Sequence, residues 1–335
     1  MRKLASIQKI KALNPIEGAD LIERATVLGW QLVVKKGEFK VGDYCVYCEI
    51  DSILPEKPVF EFLRPRKFRI KTVKMRGQIS QGIAFPLNVI ENRETMELED
   101  GLDVTDIIGI TKYEPPISAD LRSKVKGGFP SFMPKTDETR IQSVPDVLTR
   151  PENQGKQCYI TEKMDGTSAT YYLKDGEFGV CSRNLDLLET EKNVHWKVAR
   201  QEDIENKLQT VGYNIAIQGE IIGPGIQKNK YKLPKYKLVV FNAFNIDDYK
   251  YLNYVDFVAL IQKLGLETVP ILRDDYILGQ DDVNALVAMS QAKGVLNPKS
   301  HREGIVIRPV VESQDFELGR LSFKVVNPKF LLKFE

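Results

Sequence analysis

Histidine is nearly absent from this sequence, cysteine is sparse, and no long apolar run occurs in it. With only His195 and His301 among 335 residues, an imidazole-rich metal centre is excluded. Four cysteines, at positions 45, 48, 158 and 181, are too few and too scattered for a disulfide framework and fit a reducing compartment. Cys45 and Cys48 form a CxxC, but in the strand-like DYCVYCEI residues three apart face opposite sides of a strand. With no second pair and no neighbouring histidine, the structural reading is preferred over zinc. No segment approaches the roughly 18 apolar residues of a membrane span, and charges interrupt MRKLASIQKIKAL where a signal peptide would need an apolar core. A soluble, intracellular (cytoplasmic) protein with no membrane contact is expected. One-sided charge is lacking too: 48 Lys and Arg stand against 46 Asp and Glu, a net of +2. This excludes an all-basic coat, so any surface for a polyanion must be local.

What is present suggests two domains, since 335 residues exceed a single core of ordinary size and 42% hydrophobic residues can fill two. Residues 1–110 carry short β-type runs (RATVLGWQLVVKK, YCVYCEI, KFRIKTVKM, GIAFPL) separated by turn signals, which predicts an OB-type β-barrel. Residues 111–136 collect Pro, Gly and Ser without apolar periodicity and read as a linker. Order restarts at DETRIQSVPDVL, with Asp137 or Thr139 as a helix cap and Pro145 limiting the helix. Residues 137–335 mix strands with helices: CYITEKM, TSATYYLKDGEFGVCSR with a hairpin turn at Asp175-Gly176, and YNIAIQGEII read as strands. TEKNVHWKVARQEDIENKLQ reads as one amphipathic helix and VDFVALIQKLGL as another, and KLVVFNAFNI, GIVIRPV and LSFKVV supply further strands. Helices and strands do not alternate regularly, so the class is α+β with largely antiparallel sheets.

One lysine draws attention. In TEKMDGTSA, Lys163 precedes an Asp-Gly turn, Asp165-Gly166, among small hydroxylated residues. A lysine attacks phosphorus only as the neutral amine, so it needs a lowered pKa, which burial or neighbouring cations provide. Taken alone, Lys163 is equally a hairpin residue, because KxDG fixes only three positions. Downstream, however, come Ser182-Arg183-Asn184, Gln218-Gly219-Glu220, Phe244-Asn245-Ile246, Glu303-Gly304-Ile305-Val306 and Ser322-Phe323-Lys324, each at a strand end or turn.

In this order, over about residues 140 to 335, the series resembles the motifs of the covalent nucleotidyltransferase superfamily of polynucleotide ligases and messenger-RNA capping enzymes. The resemblance implies that Lys163 is the nucleophile of a lysyl-adenylate, that Asp165 and Gly166 form the turn at the nucleotide, and that Lys324 holds the α-phosphate. It further implies that Glu220 and Glu303 line the pocket, contacting ribose or the water shell of Mg2+ or Mn2+, for which hard oxygen ligands are suited. Arg183 is expected at the ribose, Phe244 stacked on the purine, and Glu162 as acceptor for the exocyclic amine of adenine, which favours ATP over GTP. The chain departs from the pattern at Val326, where many members of the superfamily carry a second lysine; Lys329 or Lys333 are candidates to replace it.

Only 11 residues follow Lys324, too few for the OB domain that DNA ligases and capping enzymes place there. The β-rich domain comes first instead, and GADLIERATVLGWQLVVKKGEFKVGDYCVYCEIDSILP is similar to the N-terminal OB domain of a small family of ATP-dependent RNA ligases. DETRIQS resembles the start of their catalytic domain, which makes Arg140 a candidate contact to the outgoing phosphates. Seven cations (Arg64, Arg66, Lys67, Arg69, Lys71, Lys74 and Arg76) are candidates for nucleic-acid contact, with strand alternation putting Arg69 and Lys71 on one face and apolar residues on the other. A second cluster, KNKYKLPKYK, spans residues 228–237; a solvated loop accounts for either cluster equally well. The expected function is an ATP-dependent RNA ligase, a monomer, sealing 3′-OH/5′-phosphate breaks in nicked duplex RNA or an RNA/DNA hybrid. A capping guanylyltransferase, a DNA ligase and a non-catalytic RNA-binding protein remain as alternatives.

Overall fold

The computed structural model describes residues 3–91, 94, 96–114 and 125–334. Two compact units share the chain: Met1–Pro116 with Ile141–Val147 and Pro328–Glu335, and Ile117–Arg140 with Leu148–Asn327. Residues 115–124 of the expected linker lie outside the described residues.

The first unit is built on five antiparallel strands, β1 (Ala5–Pro15), β2 (Ile22–Val27), β3 (Trp30–Lys35), β4 (Tyr44–Cys48) and β5 (Ile83–Phe85), in the order β3-β2-β1-β4-β5. Period-two alternation sets the faces: Trp30, Leu32 and Val34 are buried while Gln31 and Val33 are partly exposed. Gln81 N–H donates to the Gln31 carbonyl (2.9 Å) and Val33 N–H to Ser80 Oγ (3.0 Å), so the last segment returns to the β3 edge and nearly closes the barrel. This is the expected OB fold. Inside it, Cys45 and Cys48 are free and buried, and burial raises both thiols, Cys45 to about 12.

The basic stretch is not the strand that alternation predicts. Residues Pro58–Arg66 form a 3-10 helix, Lys67 and Phe68 adopt left-handed φ values of 53° and 58°, and only Val73–Met75 is a strand. Phe68 and Ile70 are buried as anchors, so the turn is held by its apolar residues, as expected, but on a different backbone.

The second unit contains a seven-stranded sheet made of β6 (Val125–Gly128), β9 (Thr167–Lys174), β10 (Glu177–Cys181), β11 (Leu185–Leu187), β12 (Ile215–Ile222), β13 (Lys237–Asn245) and β14 (Lys250–Tyr251), ordered β6-β11-β10-β9-β12-β13-β14. A five-stranded sheet uses β7 (Thr139–Arg140), β8 (Gln157–Lys163), β15 (Ile271–Ile277), β16 (Gly304–Pro309) and β17 (Phe323–Val326), ordered β7-β17-β16-β8-β15. All named pairings are antiparallel except β7 with β17, so the α+β expectation holds. Asp175 and Gly176, at φ 52° and 81°, make the two-residue turn expected between β9 and β10.

Two local expectations fail. Residues 190–209 form two helices, Val194–Gln201 and Ile204–Gln209, because Asp203 at φ 52° breaks the backbone between them. Asn193 caps the first helix by accepting from the His195 and Trp196 amides. Asp137 and Thr139 cap no helix; Thr139–Arg140 extends beside β17, and 3-10 turns follow at Ile141–Ser143 and Pro145–Leu148. The helices Val194–Gln201, Ile204–Gln209 and Tyr254–Lys263 bury one face of the larger sheet through Ala169, Tyr171, Ile215, Ile217, Ile221 and Val240. Residues of alternate parity on β12 and β13, among them Glu220, Ile222, Val239 and Phe241, are therefore left for the opposite face. Among the described residues no helix is long and apolar enough to cross a membrane.

Candidate active site

Lys163 is the last residue of β8, paired with Gly304 at the start of β16. This register sets the preceding residue, Glu303, beside it, and Lys163 Nζ donates to Glu303 Oε1 at 2.6 Å. Gly304 is required at the crossing: a Cβ there would stand 2.2 Å from the Val325 carbonyl oxygen on β17. The Asp165-Gly166 turn then folds onto β12, where Gly166 N–H donates to Glu220 Oε1 (3.0 Å). A Cβ on Gly166 would lie 2.2 Å from the Ile221 oxygen, so only glycine allows this approach. Three carboxylates, Glu303, Glu220 and Asp165, thus act on one partly buried amine.

Those carboxylates reverse the expected electrostatics. Burial pushes the Lys163 ammonium down, but Glu303, Glu220 and Asp165 together outweigh it, and its pKa is raised. In this state Lys163 is a charged ion-pair partner, and the lowered pKa expected from its surroundings is not found. Burial pushes Glu220 up to about 8, with Lys163 opposing and Glu303 adding. Asp165 is raised by burial and by Glu303, while Lys230 pulls it down.

Lys230 and Tyr231 were not anticipated at the site. They lie in the 228–237 cluster, which folds over the motif turn: Lys230 pairs with the Asp165 carboxylate, Asp165 N–H donates to Tyr231 Oη (2.8 Å), and Asn297 Nδ2 donates to the Lys230 carbonyl (2.7 Å). Gln227, Lys228, Asn229 and Lys232 all have positive φ, a strained loop held in place by these bonds. The sequence signal was the cluster itself, which is equally common in solvated loops.

Glu162 is 1% exposed; its Oε2 accepts from Val295 N–H (2.7 Å), and its backbone N–H donates to the Pro270 carbonyl. Its Oε1 is buried with no hydrogen-bond partner among the described residues. Burial raises its pKa, with the Val295 amide and Arg302 opposing. A buried carboxylate oxygen left without a partner is a costly exception in a folded protein.

Phe244, expected on the purine, is not brought to the turn. It pairs with Ala216, four residues along β12 from Glu220, or about 13 Å at strand spacing. There it packs edge-on against Tyr249 and Tyr251 in a cluster with Met133 and Tyr172. Phe241 lies near the turn instead: half-buried, it packs with Met164, Ile222 and Val239, in the same cluster as Tyr231. An irregularity in the β12–β13 register beside Gln218 and Gly219 carries it onto this face.

Lys324 lies on β17 between Arg140 of β7 and Val306 of β16, one strand from the Lys163–Gly304 pair. Arg140 is thereby Lys324's immediate neighbour. Arg183 follows β10 and pairs with Asp137, both side chains about half exposed (52% and 50%), while Thr136 and Ser168 hydroxyls meet at 3.1 Å. Val326 is 3% exposed opposite Gly304. Lys329 and Lys333 belong to the helix Pro328–Phe334, which is part of the first unit, and not to the unit containing Lys324.

Of the seven cations in residues 64–76, Arg69 is engaged internally, pairing with Asp51 at 2.7 Å beneath the Tyr113 ring. Arg64 pairs with Glu61 and Glu56. Arg66, Lys67, Lys74 and Arg76 are exposed and Lys71 is half-buried. Among the described residues no three His, Cys, Asp or Glu side chains form a ready metal cluster.

Residues 4–87 match an OB-fold domain family and residues 156–326 the RNA ligase family. Among curated proteins none matches the chain. Among solved structures it is similar to an RNA ligase of Naegleria gruberi, 38% identical over 99% of both chains. The TM-score is 0.89 for a lysine-to-alanine variant with ATP and Mn, 0.89 for a glutamate-to-alanine variant with AMP and Mn, and 0.88 for the protein with pyrophosphate. With Glu303, Glu220 and Asp165 gathered around Lys163, an OB fold ahead of them and this likeness over the whole length, the chain belongs to the RNA ligase family.

Proposed function

We propose that this RNA ligase uses ATP with Mg2+ or Mn2+, forms a covalent lysyl-AMP at Lys163, and seals 3′-OH/5′-phosphate breaks held in duplex RNA or an RNA/DNA hybrid. The observation that carries the reading is the convergence on Lys163 of Glu303, Glu220 and Asp165, with Lys324 and Arg140 two and three strands away in the same sheet. In the first step the Lys163 amine attacks the α-phosphorus; the P–N bond forms as the bond to the β-phosphate oxygen breaks and pyrophosphate leaves. A 5′-phosphate oxygen of the RNA then displaces Lys163 from the AMP phosphorus, and the 3′-hydroxyl attacks the activated 5′-phosphate and expels AMP.

This chain's own residues supply binding, orientation and charge. Glu162 Oε1 accepts the adenine amine, Phe241 packs on the base, and Arg183 reaches the ribose. Lys324, with Arg140 beside it, offsets charge on the α-phosphoryl oxygens in the transition state. The donor set fits a hard divalent cation held largely through water by Glu220 and Glu303, because one or two carboxylates suffice for such ions. When bound, the cation supplies positive charge beside the amine and the phosphoryl oxygens. With the carboxylates so occupied, the burial that pushes Lys163 downward is no longer outweighed. The Naegleria gruberi ligase holding ATP and Mn, or AMP and Mn, in an architecture this close supports the cofactor choice.

Incubation with α-labelled ATP and Mg2+ tests the first step. Label is expected on the wild-type protein and none on Lys163→Ala; label from GTP alone would point to a guanylyltransferase. Nicked duplexes with RNA or DNA placed separately on each side of the break test the substrate, and equal sealing of an all-DNA nick would refute the RNA requirement.

A further inference from the structure

Arg308 is the next-to-last residue of the EGIVIRP stretch on β16, five residues beyond Glu303, and is 3% exposed. Each of its guanidinium nitrogens goes to a different segment. Nε donates to Ser322 Oγ (3.1 Å), Nη1 to the Phe241 carbonyl (3.4 Å) and Nη2 to Glu138 Oε1 (2.9 Å). Ser322 stands two residues before Lys324, Glu138 two residues before Arg140, and Phe241 carries the aromatic ring beside Met164. The three segments come from both sheets of the second unit and are far apart in sequence, yet each carries a residue that the proposed function gives to the nucleotide: Lys324, Arg140 and Phe241.

We propose that Arg308 is a positioning residue that sets the register of three segments at once, fixing Phe241 against the base and aligning Lys324 and Arg140 on the phosphates. The proposal rests on the reading of this cleft as the ATP site. Only a guanidinium suits the position: its planar fork offers donors in fixed divergent directions, whereas a lysine ammonium at the same place is a single point. A buried cation is costly unless it is paired and bonded, and a plain core pair with Glu138 alone would not need the Ser322 and Phe241 arms. Arg308 touches neither base nor phosphate. It acts on KM for ATP through the residues it aligns.

The test compares adenylylation by wild type, Arg308→Lys, Arg308→Ala and Ser322→Ala, with circular dichroism and melting curves showing that each is folded at the assay temperature. Arg308→Lys, which keeps the charge and loses the fork, is expected to raise KM for ATP by about tenfold or more. Millimolar guanidinium is expected to bring folded Arg308→Ala back toward the wild-type KM. Ser322→Ala removes one arm and is expected to raise KM by roughly threefold with little change in melting temperature. KM within about twofold of wild type in folded Arg308→Lys would overturn the proposal, as would failure of guanidinium to restore folded Arg308→Ala. Should the Arg308 variants not fold, an unchanged KM in Ser322→Ala overturns it. Absence of lysyl-AMP in the wild-type control would instead sink the ATP-site reading itself.

Discussion

Lys163 Nζ and Glu303 Oε1 lie 2.6 Å apart, an ion pair between residues 140 positions apart in sequence. The pair holds the Lys163 amine charged; on the proposed reading Glu303 restrains the amine in the free protein and serves the reaction once nucleotide and cation are bound. Glu303→Gln should therefore act in opposite directions on two measurements. Labelling of Lys163 by an amine-directed reagent at pH 8 should increase in the free protein. Adenylylation by ATP should fall by about a hundredfold or more. Equal labelling of wild type and variant would show that Glu303 does not control the amine.

Phe241 and Phe244 separate two roles that lie three residues apart. Phe241→Ala should raise KM for ATP with only a small loss of stability, because the ring is half-buried near the turn. Phe244→Ala empties a fully buried position and should cost about 3 to 5 kcal/mol while leaving KM for ATP nearly unchanged in the protein that remains folded. Denaturant melts and adenylylation kinetics on both variants measure this, and the reverse pattern would return the base contact to Phe244.

His195 makes the second unit sensitive to acid. Burial holds the imidazole down at about 4 from an ordinary 6.5, although its Nε2 contact with the Ser168 carbonyl pushes the other way. A group depressed on folding contributes stability that is complete above its unfolded pKa and is lost as pH falls through its folded pKa. Stability should therefore decline between pH 6.5 and 4 by about 3 kcal/mol, the size of that shift. His195→Gln should flatten the decline, as followed by melts across that range.

Lys230→Ala leaves the Asp165 carboxylate buried without its cation. Breaking a buried pair from one side costs about 3 to 5 kcal/mol, and the cost falls on the turn that follows Lys163. Lysyl-AMP formation should drop together with melting temperature, whereas Lys230→Arg should keep most of both. A Lys230→Ala protein with wild-type stability would show that the loop does not brace the turn.

The site was legible where the order of motifs sufficed and obscure where the backbone deviates from ideal periodicity. Lys163, Glu220, Glu303 and Lys324 stand in or beside strands whose register follows from apolar runs, so reading the runs found the strands. Phe241 and Phe244 share those runs, and the choice between them turned on a register irregularity that leaves no mark in composition. The 190–209 helix broke at Asp203, whose left-handed φ is not announced by a glycine. Arg69 was read as outward-facing because alternation was assumed across Lys67 and Phe68, two residues that adopt positive φ. The raised Lys163 pKa was hidden for another reason: it depends on carboxylates from three chain segments, and distance along the sequence conceals their sum.

The central place of β16 in the five-stranded sheet has a bearing on how the protein is made. Lys163 ends a strand whose inner neighbour is not synthesised until residue 304, and β17 follows later still. Sheets of such long-range pairing close slowly, after the local hairpin at Asp175-Gly176 and the capped helix at Asn193 have had time to form. A ribosome-bound intermediate thus carries the amine without Glu303 or Lys324. On the proposed reading, its reaction with nucleotide is withheld by topology until the frame around it exists.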